Sequence, residues 1–285
     1  MATLLAISDL HVNHARNREF VETLRPRSAG DWLIVAGDVG DSIADVEWAI
    51  GLLARRFEKV IWVPGNHELL TPRRVEGRTD PAGEELRGEA RYRRLVEVCR
   101  ERGAVTPEDS YPLWEGAGGP ALVAPLFLLY DYSFGRARFA DKEAALRRAY
   151  ETGVVCVDEF LLQPDPHPSR EAWCAARVAA TEARLQACPA DLPKVLVNHF
   201  PLLESPTRVL RHPEFAQWCG TARTADWHRR FGATAVVYGH LHIPVTTWHD
   251  GVRFEEVSLG YPREWAGRRW KRPGLRPVLT AQVPA

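Results

Sequence analysis

Five short motifs hold the groups most able to do chemistry: Asp9-Leu10-His11, Gly37-Asp38-Val39-Gly40-Asp41, Gly65-Asn66-His67-Glu68, Asn198-His199 and Gly239-His240-Leu241-His242. Each follows an apolar run of strand-like composition. Their carboxylate, amide and imidazole groups suit hard or borderline cations. Any one of the motifs can arise by chance. All five in this order supply ligands for two cations, a proton donor and a supporting carboxylate, which points to two-metal phosphoester hydrolysis.

The residues divide by role. Asp9 and His11 stand two apart after a strand, and in extended backbone such residues face one side, so a carboxylate and an imidazole can grip one cation. Asp38 ends the run Leu33-Ile34-Val35-Ala36-Gly37, and its two oxygens can bridge cations about 3.5–4 Å apart. Gly37 and Gly40 let that loop pass close to the ions. Asn66 offers a neutral amide oxygen. His67 diverges from its neighbour and is expected to face substrate as the general acid that protonates the leaving alkoxide. Glu68 is read as structural, capping the next turn or orienting a neighbour. His199 ends the run Val195-Leu196-Val197-Asn198, and His240 and His242 repeat the two-apart spacing.

The elements that must position these groups are short. Leu4 to Ser8, Asp31 to Ala36 and Lys59 to Val63 read as buried strands. Ser42 to Phe57, with Ile43, Val46, Ala49, Ile50 and Leu53 at helical spacing, completes a βαβ unit and implies parallel pairing. Later strands are expected at Lys194 to Asn198, Thr234 to Tyr238, Val245 to His249 and Val252 to Val257, the last two joined by a turn at His249-Asp250-Gly251. Between the two groups, Leu69 to Gly119 is polar with a helix from about Glu84 to Glu101. Ala121 to Leu129 reads as a core strand, and Asp141 to Tyr150 and Arg170 to Gln186 as helices. The Pro164-Asp165-Pro166-His167-Pro168 stretch is a rigid spacer. The five motifs thus lie at the C-terminal ends of strands, where open α/β sheets place ligands. The reading is an α/β fold, a two-sheet sandwich flanked by helices, in one domain over 1–285 with helical insertions at about 69–119 and 135–190.

Composition narrows the partners. The 285 residues are 45% apolar and 26% charged, with zero formal net charge. No global field draws nucleic acid or a membrane surface, so neither partner is expected. Five cysteines without C-x-x-C spacing fit reduced thiols in a cytosolic protein. Met1 runs directly into Thr3-Leu4-Leu5-Ala6-Ile7, with no signal peptide evident. The longest apolar stretch, Ala121 to Tyr130, contains Pro125 and falls short of the roughly 20 residues that span a bilayer. A cytoplasmic location is therefore expected. The basic cluster Arg268 to Arg272 is read as a solvated tail.

Taken together, the motifs resemble the calcineurin-like metallophosphoesterase superfamily over most of the chain. That resemblance implies a four-layer αββα sandwich and two divalent or trivalent metal ions, with Mn, Fe or Zn suited to a thiolate-free donor set. It assigns one ion to Asp9, His11, Asp38 and His242, and the other to Asp38, Asn66, His199 and His240. It makes Asp41 the carboxylate that orients and charges His67. Protein Ser/Thr phosphatases carry Arg directly after the position of Asp41, where this chain has Ser42.

Four further stretches, Leu33 to Asp38, Pro125 to Phe134, Trp218 to Thr221 and Ser258 to Trp265, are similar to an actinobacterial subgroup that includes a 4′-phosphopantetheinyl hydrolase. The implied reaction is phosphodiester cleavage that removes the arm from an acyl or peptidyl carrier protein. The alternative substrates are nucleotides or other small phosphate esters. A non-catalytic scaffold is disfavoured, because every expected ligand and His67 are present. Candidate substrate contacts are Tyr132, which otherwise plugs the core; Arg263, whose fork suits phosphate beside Tyr261; and His14, beside Asn13 just past the first motif.

Overall fold

Runs of Leu, Ile and Val alternate with amphipathic segments, and the observed elements follow that alternation. The computed structural model describes residues 1–71, 86–266 and 274–279. Its first half runs β1 (Leu4–Ile7), α1 (Ala15–Thr23), β2 (Trp32–Ala36), α2 (Ile43–Ala54), β3 (Lys59–Val63), α3 (Asn66–Leu69) and α4 (Gly88–Glu101). The middle holds β4 (Leu113–Trp114), β5 (Ala121–Pro125), α5 (Lys142–Glu151), α6 (Asp158–Leu161) and α7 (Arg170–Gln186). The rest is β6 (Lys194–Val197), α8 (Trp227–Arg230), β7 (Ala233–Tyr238), β8 (Thr246–His249), β9 (Val252–Glu256), α9 (Pro262–Trp265) and β10 (Arg276–Pro277).

Two sheets form, in the orders β10-β1-β2-β3 and β4-β5-β6-β7-β9-β8. β1, β2 and β3 pair in parallel, as do β5, β6, β7 and β9. Side chains alternate across each strand. Leu4, Ala6, Ile34, Ala36, Ile61 and Val63 therefore meet Val123, Val195, Val197, Ala235 and Val237 between the sheets. The intervening Leu5, Ile7, Leu33, Val35, Trp62, Leu196 and Val236 pack with helix residues such as Ile50, Leu53, Leu95 and Trp173. The result is the expected four-layer αββα sandwich. Strands covered on both faces read as continuous apolar runs, which is why they were visible in the sequence.

Local signals set most boundaries. Ser42, Asp141 and Ser169 cap α2, α5 and α7 by accepting from Asp45 N at 3.0 Å, Ala144 N at 2.7 Å and Ala172 N at 3.2 Å. Asp250 and Gly251 both have positive φ, 50° and 79°, as the tight turn between β8 and β9 requires.

Other boundaries depart from expectation. The strand expected through Leu129 stops at Pro125: Leu126 N still donates to Val197 O at 2.8 Å, but Leu128 N turns to the Asn198 side chain at 3.1 Å. Asp31 precedes β2 instead of opening it, because its carboxylate accepts from the backbone of Thr3, Arg27 and Ser28. α1 was not anticipated; only Asn17 and Val21 of its nine residues are buried, too few to show a periodicity. The region around 69–119 also carries strand structure: β4 pairs with β5, and Val105 bridges to Ile61 at the edge of the first sheet. Glu84 and the cluster Arg268 to Arg272 lie outside the described residues. Among the described residues, no helix is long and apolar enough to cross a membrane.

Ile61 is fully buried between the sheets, whereas Trp248 on β8 is 65% exposed. Ile61→Ala is expected to lower unfolding stability by about 2–5 kcal/mol in a denaturant titration, and Trp248→Ala by no more than about 0.5 kcal/mol. Equal effects would contradict the layer assignment.

Candidate metal centre

All seven expected ligands stand just beyond the C-terminal ends of β1, β2, β3, β6 and β7. There the chain turns sharply. Asp9, His11, Asp38, His240 and His242 have φ of 53°, 40°, 52°, 69° and 56°. Such left-handed backbone costs a residue with a Cβ roughly 1–2 kcal/mol and clusters at functional sites. This corrects the expectation that extended backbone aligns the two-apart pairs. The turns bring Asp9, His11 and His242 together, with ligand atoms within 4.8 Å of one another, and Asp38, His199 and His240 likewise. His240 and His242 fall in different clusters, the first with Asp38 and His199 and the second with Asp9 and His11.

Asp38 lies between the clusters. Its Oδ2 is 3.4 Å from His199 Nε2, 3.9 Å from His11 Nε2 and 4.0 Å from His67 Nε2. Asp9 Oδ1 is 3.0 Å from His242 Nε2. Burial works against charge on both carboxyls, yet the imidazoles around them, His242 for Asp9 and His199 and His67 for Asp38, hold both below the usual carboxylate range. Burial pushes His11 down to about 4 and His240 to about 3, so both are neutral bases with a free lone pair.

The donors fit cations. Asn66 Oδ1, His199 Nε2 and His240 Nε2 are buried without a hydrogen-bond partner, and buried polar atoms are seldom left so. His199 Nδ1 is 2.9 Å from Ala36 O, which fixes Nδ1 as a donor and aims Nε2 at Asp38; Asp38 raises the imidazole to about 10, so a cation seated there would displace the Nε2 proton. His242 Nδ1 is likewise 2.7 Å from Glu264 Oε2.

A rigid frame fixes these groups. Glu68 is fully buried, as its structural reading required. Its Oε2 accepts from Gly65 N at 2.9 Å and Asp38 N at 3.0 Å, and its Oε1 from Val39 N at 2.9 Å. It ties the ends of β2 and β3 together, and burial and the nearby Asp38 raise it to about 7. Asp9 Oδ2 accepts from the Ser8 and Ser258 hydroxyls and from His240 N. Close approach also requires two glycines. A Cβ on Gly65 would lie 2.0 Å from Asp38 Oδ1, and one on Gly239 2.3 Å from Asp9 Oδ2.

His67 has the environment of a proton carrier. Its Nδ1 is 2.7 Å from Asp41 Oδ1, and Asp41 Oδ2 accepts from Asn13 at 2.9 Å. Burial opposes the imidazolium, but Asp38 and Asp41 outweigh it and raise His67 to about 9. Tyr261 stacks on His11 with centroids 4.5 Å apart, and its hydroxyl is 3.5 Å from His67 Nε2.

The candidate substrate contacts divide. Exposed His14 and Arg263 both border Tyr261, with the His14 ring centroid 5.5 Å and the Arg263 guanidinium 5.7 Å from its ring. Tyr132 is only 3% exposed. Its hydroxyl donates to Glu159 at 2.7 Å and accepts from Arg170 at 2.7 Å, so it sits in a buried network instead of presenting a free hydroxyl. Sequence reasoning missed Ser8, Ser258, Glu264 and Asp158, whose Oδ1 accepts from Asn66 Nδ2 at 3.0 Å. Ser258, Glu264 and Asp158 carry no local mark because their partners lie 249, 22 and 92 residues away, whereas Ser8 adjoins Asp9 and its serine was a signal within reach.

The comparisons with known proteins agree with one another. The model of the calcineurin-like phosphoesterase family matches residues 2–244. The chain is 56% identical over 277 residues to the acyl-carrier-protein phosphodiesterase of Mycobacterium tuberculosis, covering 97% of this chain and 83% of that protein. It is also similar to the crystal structure of phosphopantetheinyl hydrolase from Mycobacterium tuberculosis, with TM-score 0.93 and 55% identity over 100% of this chain and 99% of that one.

Glu68→Gln is expected to replace one accepted N–H bond with a donor facing a donor. Stability should fall by about 1–3 kcal/mol, with reduced bound manganese by elemental analysis. Unchanged stability and metal content would contradict the role of Glu68 as the tie between the two loops.

Proposed function

The chain belongs to the calcineurin-like phosphoesterase family, and from that premise we propose that it is a dinuclear-metal-dependent phosphodiesterase removing 4′-phosphopantetheine from holo acyl or peptidyl carrier proteins. The observation that carries the substrate class is the 56% identity, over 97% of this chain, to an acyl-carrier-protein phosphodiesterase. Asp9, His11, Asp38 and His242 would hold one ion, and Asp38, Asn66, His199 and His240 the other. The oxygen and nitrogen donors suit Mn, Fe or Zn. Bound there, the two cations neutralise the phosphoryl oxygens and lower the pKa of the attacking water.

The chain's own groups do the rest. His67 holds its Nδ1 proton against Asp41 and presents Nε2–H to the leaving oxygen. As water oxygen bonds to phosphorus, the bond from phosphorus to the carrier serine oxygen breaks, and His67 gives its proton to that oxygen. The products are the free serine hydroxyl of the apo carrier and 4′-phosphopantetheine as a monoester. Tyr261 walls the space beside His67. Arg263 and His14, which border Tyr261, meet the phosphate or the arm, while Tyr132 stays within its buried network with Glu159 and Arg170. Five free cysteines support action in the reducing cytoplasm.

Intact mass of a holo carrier protein after incubation with the Mn²⁺-loaded enzyme should show loss of the whole phosphopantetheine arm, and a chelator should abolish it. A holo carrier left intact by enzyme that still cleaves a bis-aryl phosphate would redirect the reading to small-molecule diesters. His67→Ala should keep its metal and lose about 10²–10⁴-fold in turnover on the alkyl ester, and less on an aryl ester whose leaving group needs no proton. Loss of metal from that variant, seen by elemental analysis, would contradict the proton-donor role.

A further inference from the structure

The insertion between β5 and β6 reaches the metal centre through one side chain. Asp158, the first residue of α6, is fully buried, and its Oδ1 accepts from Asn66 Nδ2 at 3.0 Å. An amide has two ends of similar shape and opposite hydrogen-bond character. Seating Nδ2 on the Asp158 oxygen turns the other end, Oδ1, away from it, and that oxygen is buried without a partner. The alternative rotamer would set two acceptors against each other at Asp158 and offer an N–H where a cation needs a lone pair.

Asp158 is itself held. Arg170, at the start of α7, donates through Nη2 to Asp158 O at 2.8 Å and through Nε to Leu162 O at 3.0 Å. Its Nη1 reaches Tyr132 Oη at 2.7 Å and Glu159 Oε2 at 3.1 Å. Glu159 Oε1 also accepts from Trp218 Nε1 at 2.8 Å. The guanidinium fork thus joins the buried carbonyls at the two ends of α6, Asp158 O, which also accepts from Leu162 N at 3.0 Å, and Leu162 O just past its last residue.

We propose that Asp158 is the positioning residue for Asn66, fixing its amide so that Oδ1 faces the ion, with Arg170 clamping α6 behind it. This inference rests on Asn66 being a ligand, as given under Proposed function. Partners of this kind orient ligands in metal sites, and their loss typically costs 10–100-fold in affinity.

The test titrates Mn²⁺ into chelator-stripped full-length protein and follows binding by electron paramagnetic resonance and calorimetry. Asp158→Leu should leave one tight site and weaken the second on the order of 10–100-fold, while Asp158→Asn, which keeps an acceptor oxygen, should stay near the wild type. A folded Asp158→Leu protein that binds two ions as the wild type does would overturn the inference. Should that variant fail to fold, the reversed pair decides. Asn66→Asp alone sets two carboxylates together and should bind the second ion poorly, and adding Asp158→Asn should restore it, since the amide then donates to the new carboxylate at position 66. A reversed pair no better than Asn66→Asp alone would overturn the inference. Asn66→Ala separates the two levels. If it binds two ions normally, the ligand assignment itself falls; if it loses one while Asp158→Leu keeps both, only the positioning role falls.

Discussion

One buried carboxylate, Asp38, is the constraint around which the site is arranged. It sits between two ligand clusters, one formed with His199 and His240 and the other reached through His11, and its Oδ2 faces His11, His67 and His199. An uncompensated charge at that depth would be prohibitive. It is tolerated because imidazoles surround it on one side and the backbone N–H of His67 donates to its Oδ1 at 3.0 Å on the other. The same arrangement offers one group shared between two cations, the feature that separates a dinuclear site from two independent ones.

Holding Asp38 is the work of the sandwich. Parallel pairing puts the ends of β1, β2 and β3 at one edge of the first sheet, and those of β6 and β7 at the matching edge of the second. Glu68 then fastens the β2 and β3 loops by three backbone N–H groups. The strain of five left-handed residues is met by this network rather than by local preference. Rigid elements carrying strained turns hold the candidate ligand side chains in one arrangement.

The proton donor depends on the same charge. His67 is raised to about 9 by Asp38 together with Asp41, so the carboxylate between the two candidate clusters also keeps the proposed general acid protonated at neutral pH. His11 and His240, more deeply desolvated and without a carboxylate hydrogen bond, are driven the opposite way. Histidines a few ångströms apart thus take different roles through their immediate partners.

Much of this was legible before the structure. The apolar runs of β2, β3, β6 and β7 and the Asp250-Gly251 turn are local signals, and the motif residues could be placed at strand ends because their strands are buried on both faces. The left-handed turns were not legible, since two-apart spacing after a strand reads as extended backbone and carries no mark of a positive φ. The bonds that tie the Tyr132 hydroxyl to Glu159 and Arg170 were not legible, because those partners lie 27 and 38 residues away. Asp158 carried no signal because its partner Asn66 lies 92 residues earlier. The account is tested most directly by anomalous diffraction from crystals soaked in Mn²⁺. It predicts two manganese peaks that share Asp38 as a common ligand. A single peak, or two peaks of which one does not contact Asp38, would contradict it.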